Sequence, residues 1–177
     1  MIYAGLITDT NNFTVGNITP TTYFVAGECV KHCDPAAIYR QFMNNHTLKN
    51  LQLLALAINN ISSHMNDRII LTHISSSEAC RYSAQEEDYL GIVNRIAAIS
   101  NCNLACFIYP KGNKQYVSLR SRGGYSISEL AQRYGGGGHD GAAAFESDLS
   151  VNEIKDTVLE EFTHILTTAG KTQKFKF

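Results

Sequence analysis

Residues 115–145 read QYVSLRSRGGYSISELAQRYGGGGHDGAAAF, and this stretch decides the fold. Gln115 to Arg120 is strand-like, Ser126 to Tyr134 has the length of a short helix, and Ala142 to Phe145 is a strand of small residues. Between helix and last strand stand Gly135, Gly136, Gly137 and Gly138, followed by His139. Consecutive glycines let a backbone bend sharply and approach a ligand with no side chain between, offering N–H groups to an anion. The imidazole of His139 then sits at the rim, able to donate to phosphate or sugar. Composition alone leaves a second reading open, a flexible loop beside a surface histidine.

Working outward, Leu104 to Tyr109 pairs with Gln115 to Arg120 through the turn Lys111-Gly112-Asn113-Lys114, a hairpin signal. Upstream, Gln85 to Ile99 predicts a helix whose acidic start, Gln85 to Asp88, suits the helix macrodipole. Arg68 to Ser75 predicts a strand and Leu48 to Ser62 a helix. Apolar residues crowd round that helix, which therefore needs cover on more than one side. Asp34 with Pro35 and Thr19 with Pro20 mark two further helix starts. Ile2 to Ile7 reads as a short buried strand running into a polar loop at Thr8 to Asn12. Val151 to Thr167 closes the chain as a helix. The expected class is α/β with a mixed sheet.

At 177 residues, 44% hydrophobic and 18% charged, the chain has the balance of a globular protein and not of a disordered tail. A net charge of −1 gives no basic field for tracking long nucleic acid, so a small anionic ligand fits better. No apolar run approaches the ~20 residues that span a bilayer, and no leader pattern opens the chain, which together predict a cytoplasmic protein. The five cysteines cannot all pair, and none forms a two-residue-spaced zinc pair; buried free thiols are expected. The cluster Cys29, His32, Cys33 reads as helix packing. Tyr125 and Tyr134 could stack on a base, although such tyrosines more often cap a core.

In order along the chain, Gly5-Leu6-Ile7-Thr8-Asp9-Thr10, Ile92-Val93-Asn94, Val117-Ser118-Leu119-Arg120-Ser121, Gly136-Gly137-Gly138-His139 and Ala142-Ala143-Ala144-Phe145 resemble motifs of the DHH phosphoesterases, in particular the oligoribonuclease and pAp-phosphatase branch. The resemblance covers residues 2 to about 146 and places most of them in that family's DHH-associated domain. It implies that Arg120 and His139 grip the phosphate or terminal nucleotide of a substrate. Arginine suits this because its planar fork makes charge-assisted, two-pronged contacts that lysine cannot copy. Ser118, Arg122, Gly136, Gly137 and Gly138 complete the implied binding set, with Arg122 equally readable as a solvated side chain. Asp9 matches an aspartate that holds catalytic metal, normally manganese. Two positions depart from the pattern: Asp140 where relatives often carry a basic or neutral residue, and Ala144 where they carry glycine.

The family's earlier metal motifs, among them the Asp-His-His triplet, have no counterpart here, and one carboxylate at Asp9 does not make a two-metal site. The expected division is a helical remnant of the DHH domain over 1–63 and a DHH-associated nucleotide-binding domain over 64–177. The expected function is capture of a small phosphorylated nucleotide, such as a short oligoribonucleotide or a linear or cyclic dinucleotide, with no cofactor needed for binding. The alternative is a manganese-dependent phosphoesterase completed by another domain or chain. Apolar side chains over residues 19–63 suggest a homodimer, since monomers rarely expose so large a patch.

Overall fold

Ile2–Asp9 is a helix, α1, and not the strand that its apolar run suggests. A short apolar run cannot be told from a buried helical segment by periodicity, and a strand needs a hydrogen-bonded neighbour. The buried residues are Ala4 and Ile7, three apart on one helical face. The Thr8 hydroxyl donates to the Ala4 carbonyl at 2.9 Å. The polar turn therefore starts late, with Asn11, Asn12 and Phe13 at φ of 45°, 56° and 61°. The computed structural model describes residues 1–14 and 18–172.

Two compact units meet between Thr47 and Leu48. The first, residues 1–47, contains α1, α2 (Pro20–Val30) and α3 (Pro35–Phe42), with α1 packed on the other two. Both expected helix starts are present. Thr19 caps α2 in a reciprocal pair with Thr22, and Asp34 accepts from Ala36 N and Ala37 N at 2.9 and 3.1 Å.

The second unit, residues 48–177, is built on a six-stranded mixed sheet ordered β1-β2-β3-β4-β6-β5. Its strands are β1 (Ser62–His64), β2 (Ile69–His73), β3 (Leu104–Lys111), β4 (Lys114–Ser121), β5 (Gly137–His139) and β6 (Ala142–Ser147). Only β2 and β3 run parallel; the other pairs are antiparallel. Helices α4 (Leu48–Asn59) and α5 (Ser76–Arg81) flank β1 and β2 in sequence, α6 (Ile92–Ala97) precedes β3, α7 (Ser128–Arg133) precedes β5, and α8 (Val151–Thr172) ends the unit. The helix expected over Leu48 to Ser62 thus stops at Asn59, and α4 and β1 pack with the sheet.

Side chains alternate across each strand, and each face of the sheet has its own core. On one face Leu104, Cys106, Ile108, Val117, Leu119, Ala143 and Phe145 meet Ile154, Val158, Phe162 and Leu166, which recur every fourth residue along α8. On the other, Ile70, Ala105 and Phe107 meet Leu53 and Ala57 of α4 and Ile92, Val93 and Ile96 of α6. The sheet covers α4 on that side only; Leu48, Leu51 and Ile58 remain exposed.

The helix expected over Gln85 to Ile99 is broken in two: a 3-10 turn over Glu86–Tyr89, then α6. Gly91 takes a left-handed φ of 79° between them. The Asn50 amide donates to the carbonyls of Asp88 and Leu90 at 2.7 and 3.3 Å, capturing acceptors that a continuous helix would have used. Asp88 turns inward, with Lys49 at 3.1 Å. No helix among the described residues is long and apolar enough to cross a membrane.

His73 ends β2 with its Nδ1 buried and without a hydrogen-bond partner. Burial foremost, and then the Lys155 ammonium, push its pKa below the ordinary 6.5, against a smaller opposing pull from Glu78. A depressed folded pKa means that the folded state resists protonation. Stability is therefore fully present above about pH 6.5 and erodes as pH falls toward the folded value. The melting temperature of the wild type should drop more between pH 7.5 and 5.5 than that of His73→Leu, which has no proton to gain; equal drops would show that His73 does not set the acid sensitivity.

Candidate functional site

Strand β4 carries Tyr116, Ser118 and Arg120 on one face and sends Val117 and Leu119 into the core beneath α8. The register extends that polar face sideways. Arg120 pairs with Ala142, which pairs with His139; Ser118 pairs with Ala144, which pairs with Gly137. Directly paired residues share a face, so two parallel rows cross the sheet. Alanines form the floor between Arg120 and Ser118 on one side and His139 and Gly137 on the other. A methyl placed on Gly137 would meet nothing within 4 Å, so the space above it is open.

Arg120 is held by neutral groups. Its Nε donates to Asn94 Oδ1 of α6 at 2.7 Å, and its Nη1 donates to the Leu119 carbonyl at 2.8 Å and to Ser118 Oγ at 3.4 Å. No carboxylate pairs with it among the described residues. Burial lowers its pKa from the ordinary arginine value, partly opposed by Tyr116 and Tyr109. A half-buried cation surrounded only by dipoles has an unmet demand for negative charge. Asn94 was missed as a site residue. It stands exposed on a short helix, and nothing local in the sequence ties it to a strand 26 residues on.

The glycine run does three jobs and is not an open loop. Gly135, at φ 75°, ends α7, where Gly135 N and Gly136 N donate to the Gln132 and Ala131 carbonyls at 3.0 and 2.9 Å. Gly136 and Gly138 press against β6: a Cβ on Gly136 would lie 2.0 Å from Ala144 O, and one on Gly138 2.4 Å from Ala142 O. Gly137–His139 form the edge strand β5. Asp140, just after His139, accepts from Ser126 Oγ and Ser128 Oγ at 2.6 and 2.9 Å, and these bonds hold its carboxyl below the usual range. It ties the β5–β6 turn to the start of α7.

Other expected residues lie elsewhere. β4 ends at Ser121, and Arg122 donates from Nη1 to the Ala97 carbonyl at 3.1 Å, at the C-terminus of α6, where a cation is favoured. Tyr134 stacks on Phe145 at 5.0 Å, and the Tyr125 hydroxyl accepts from Arg68 at 3.4 Å. The aromatic rings beside the site are instead Tyr109 and Tyr116, 5.1 Å apart, with the Lys111 ammonium 5.1 Å over Tyr116.

Asp9 is the last residue of α1, exposed in the first unit. Among the described residues no three His, Cys, Asp or Glu side chains come together as metal ligands would. The described residues therefore do not by themselves fit a manganese pair.

A six-stranded mixed sheet with helices on both faces, carrying Arg120 and His139 across an alanine floor, defines an α/β domain. Residues 66–168 match the family model of the DHHA1 domain, and the chain belongs to that family. Among curated relatives, the bifunctional oligoribonuclease and PAP phosphatase NrnA of Thermus thermophilus is 28% identical over 170 residues, covering 96% of this chain and 51% of that protein. A probable NrnA of Streptococcus mutans is 31% identical, covering 94% and 53%. The crystal structure of an exopolyphosphatase-related protein from Bacteroides fragilis superposes with a TM-score of 0.85 at 27% identity, covering 92% of this chain and 48% of that one. The chain thus spans about half the length of the relatives it matches.

The glycines should separate under substitution. Gly136→Ala forces a methyl into the β6 backbone and should cost on the order of 1–3 kcal/mol, whereas Gly137→Ala should stay within about 0.5 kcal/mol. Chemical denaturation measures both, and equal losses would refute the division of roles.

Proposed function

We propose that this chain binds a small phosphorylated nucleotide across β4, β6 and β5, a short oligoribonucleotide or a linear or cyclic dinucleotide, and sequesters it without cleavage. The observation that carries this reading is Arg120: a half-buried guanidinium with no carboxylate partner among the described residues, facing His139 over Ala142. His139 supplies a second donor, Ser118 a hydroxyl, and the open space above Gly137 room for a sugar or phosphate. The names of the NrnA relatives support nucleotides as the ligand class. A net charge of −1 favours a compact ligand over long nucleic acid. Binding of this kind needs no cofactor, and a nucleotide ligand suits the cytoplasm.

Hydrolysis is the second reading, supported by the activities in the relatives' names, and manganese enters only there. Asp9 would be one ligand of that site, with the others supplied from outside the described residues. The binding reading is preferred because Arg120, Ser118 and His139, which support it, all lie within the described residues.

Calorimetry with pAp and with 5′-phosphorylated diadenylate (pApA) tests the site. Arg120→Ala should cost about 1.5–3 kcal/mol if a charge-assisted contact is lost. His139→Ala should also weaken binding, because a hydrogen-bond donor to the phosphate or sugar is lost. Ligand recovered from the wild-type mixture with manganese should be intact. Unchanged affinity in both variants would remove this face of β4, β6 and β5 as the site.

We also propose a homodimer whose interface draws on residues 19–63. Tyr23 and Phe24 of α2 are 57% and 68% exposed, Phe42 of α3 is 50% exposed, and Leu48 of α4 is 73% exposed. A second copy is the simplest cover for such side chains. Light scattering at micromolar concentration should give twice the chain mass of 19.6 kDa; a monomer mass would overturn the dimer.

A further inference from the structure

A guanidinium has five N–H donors in a rigid fork, and their allocation at Arg120 is uneven. One sits on Nε and is taken by Asn94 Oδ1 at 2.7 Å. Nη1 gives one to the Leu119 carbonyl at 2.8 Å and points the other at Ser118 Oγ, 3.4 Å away. Nη2 has no hydrogen-bond acceptor among the described residues. A phosphate can meet a guanidinium side-on, through Nε and Nη2, or end-on, through Nη1 and Nη2. The side-on edge is blocked here, because Nε is committed to α6. The end-on edge is open once the long Ser118 contact yields, and the freed hydroxyl can then donate to the same phosphate.

We infer that Asn94 is the positioning residue of this site: its carboxamide oxygen locks the Nε of Arg120 so that the end-on edge of the guanidinium, joined by the Ser118 hydroxyl, receives the phosphate. The inference rests on the reading that Arg120 binds phosphate. The chemistry of the partner matters as much as its place. A carboxylate at residue 94 would hold Nε equally well but would neutralise the charge meant for the ligand. An amide oxygen orients the guanidinium and leaves its charge available. Asn94 is exposed on α6, and its side chain bonds only Arg120 among the described residues, so it can be changed without disturbing the core.

The test is a double-mutant cycle read by calorimetry with pApA as the probe, each variant first checked for an unchanged melting temperature. Arg120→Ala should weaken binding by about 10-fold or more, as loss of a charged hydrogen bond implies. Asn94→Ala should weaken it about 3- to 10-fold in the wild-type background and by less than about 2-fold in the Arg120→Ala background, since coupled residues are not additive. Asn94→Asp, which keeps an acceptor but adds a negative charge, should bind more weakly than Asn94→Ala at low salt, and the gap should close as salt rises. If Arg120→Ala weakens binding but Asn94→Ala costs the same in both backgrounds, or nothing in either, the positioning role is overturned and the phosphate site stands. Asn94→Asp binding as tightly as wild type would overturn it too. If Arg120→Ala leaves affinity unchanged, the phosphate site itself falls, and the positioning role with it.

Discussion

The antiparallel pairing of β4 with β3 on one side and β6 on the other is the constraint on which the rest depends. It fixes Lys114–Ser121 in the sheet over its whole length, and strand alternation then separates two functions within eight residues. Val117 and Leu119 enter the α8 core, while Tyr116, Ser118 and Arg120 take the other face. A register slip of one residue would bury Arg120 beneath α8 and expose Leu119. The buried side chains are fully enclosed and pack against Phe162 and Val158, so such a slip is strongly disfavoured. The apolar core beneath α8 thus places the charged residue on the opposite face of the sheet.

The second constraint is how near β5 lies to β6. At Gly136 and Gly138 the β6 backbone occupies the space where a side chain would begin, so only glycine permits the approach. That closeness carries the row from Ala142 to His139. Glycines that in a loop would confer mobility here allow an edge strand to pair tightly. Asp140, bonded to two serine hydroxyls, fixes the turn beyond it. The backbone of His139 is therefore held by that close pairing.

Much of this was legible in the sequence. The 111–114 hairpin, the proline-marked starts of α2 and α3 and the apolar period of α8 each follow from a local rule, and each is in the structure. Arg120, Ser118 and His139 were legible as a set only through resemblance; what the structure adds is the register that aligns them. The failures share a cause. Ile2 to Ile7 carries β-branched residues but has no strand to pair with among three helices, so tertiary context decided it. Gln85 to Ile99 has helical periodicity, yet Asn50, 38 residues before Asp88, takes a carbonyl from it. α5 was overlooked although Ser75 and Glu78 spell a capping box, and here the signal was present. β1 offered none: Ser62-Ser63-His64 is a strand only because β2 lies beside it.

The same distinction explains why Arg122 and Arg120, two residues apart, have different fates. Both are arginines beside small residues, and alternation along an unbroken strand would put them on one face. β4 ends between them, at Ser121, whose amide donates to the Gly141 carbonyl at 3.1 Å while its hydroxyl donates to the Tyr125 carbonyl. The chain then turns, and the Arg122 amide meets the Asn103 carbonyl at 2.7 Å. Arg122 spends its guanidinium on the end of α6, where the helix dipole supplies partial negative charge. Arg120, from the side of the same helix, receives only an amide oxygen. One helix therefore holds both arginines, satisfying the first with its C-terminus and orienting the second with Asn94. The arginine with no carboxylate partner among the described residues is the one that β4 places on the face opposite α8.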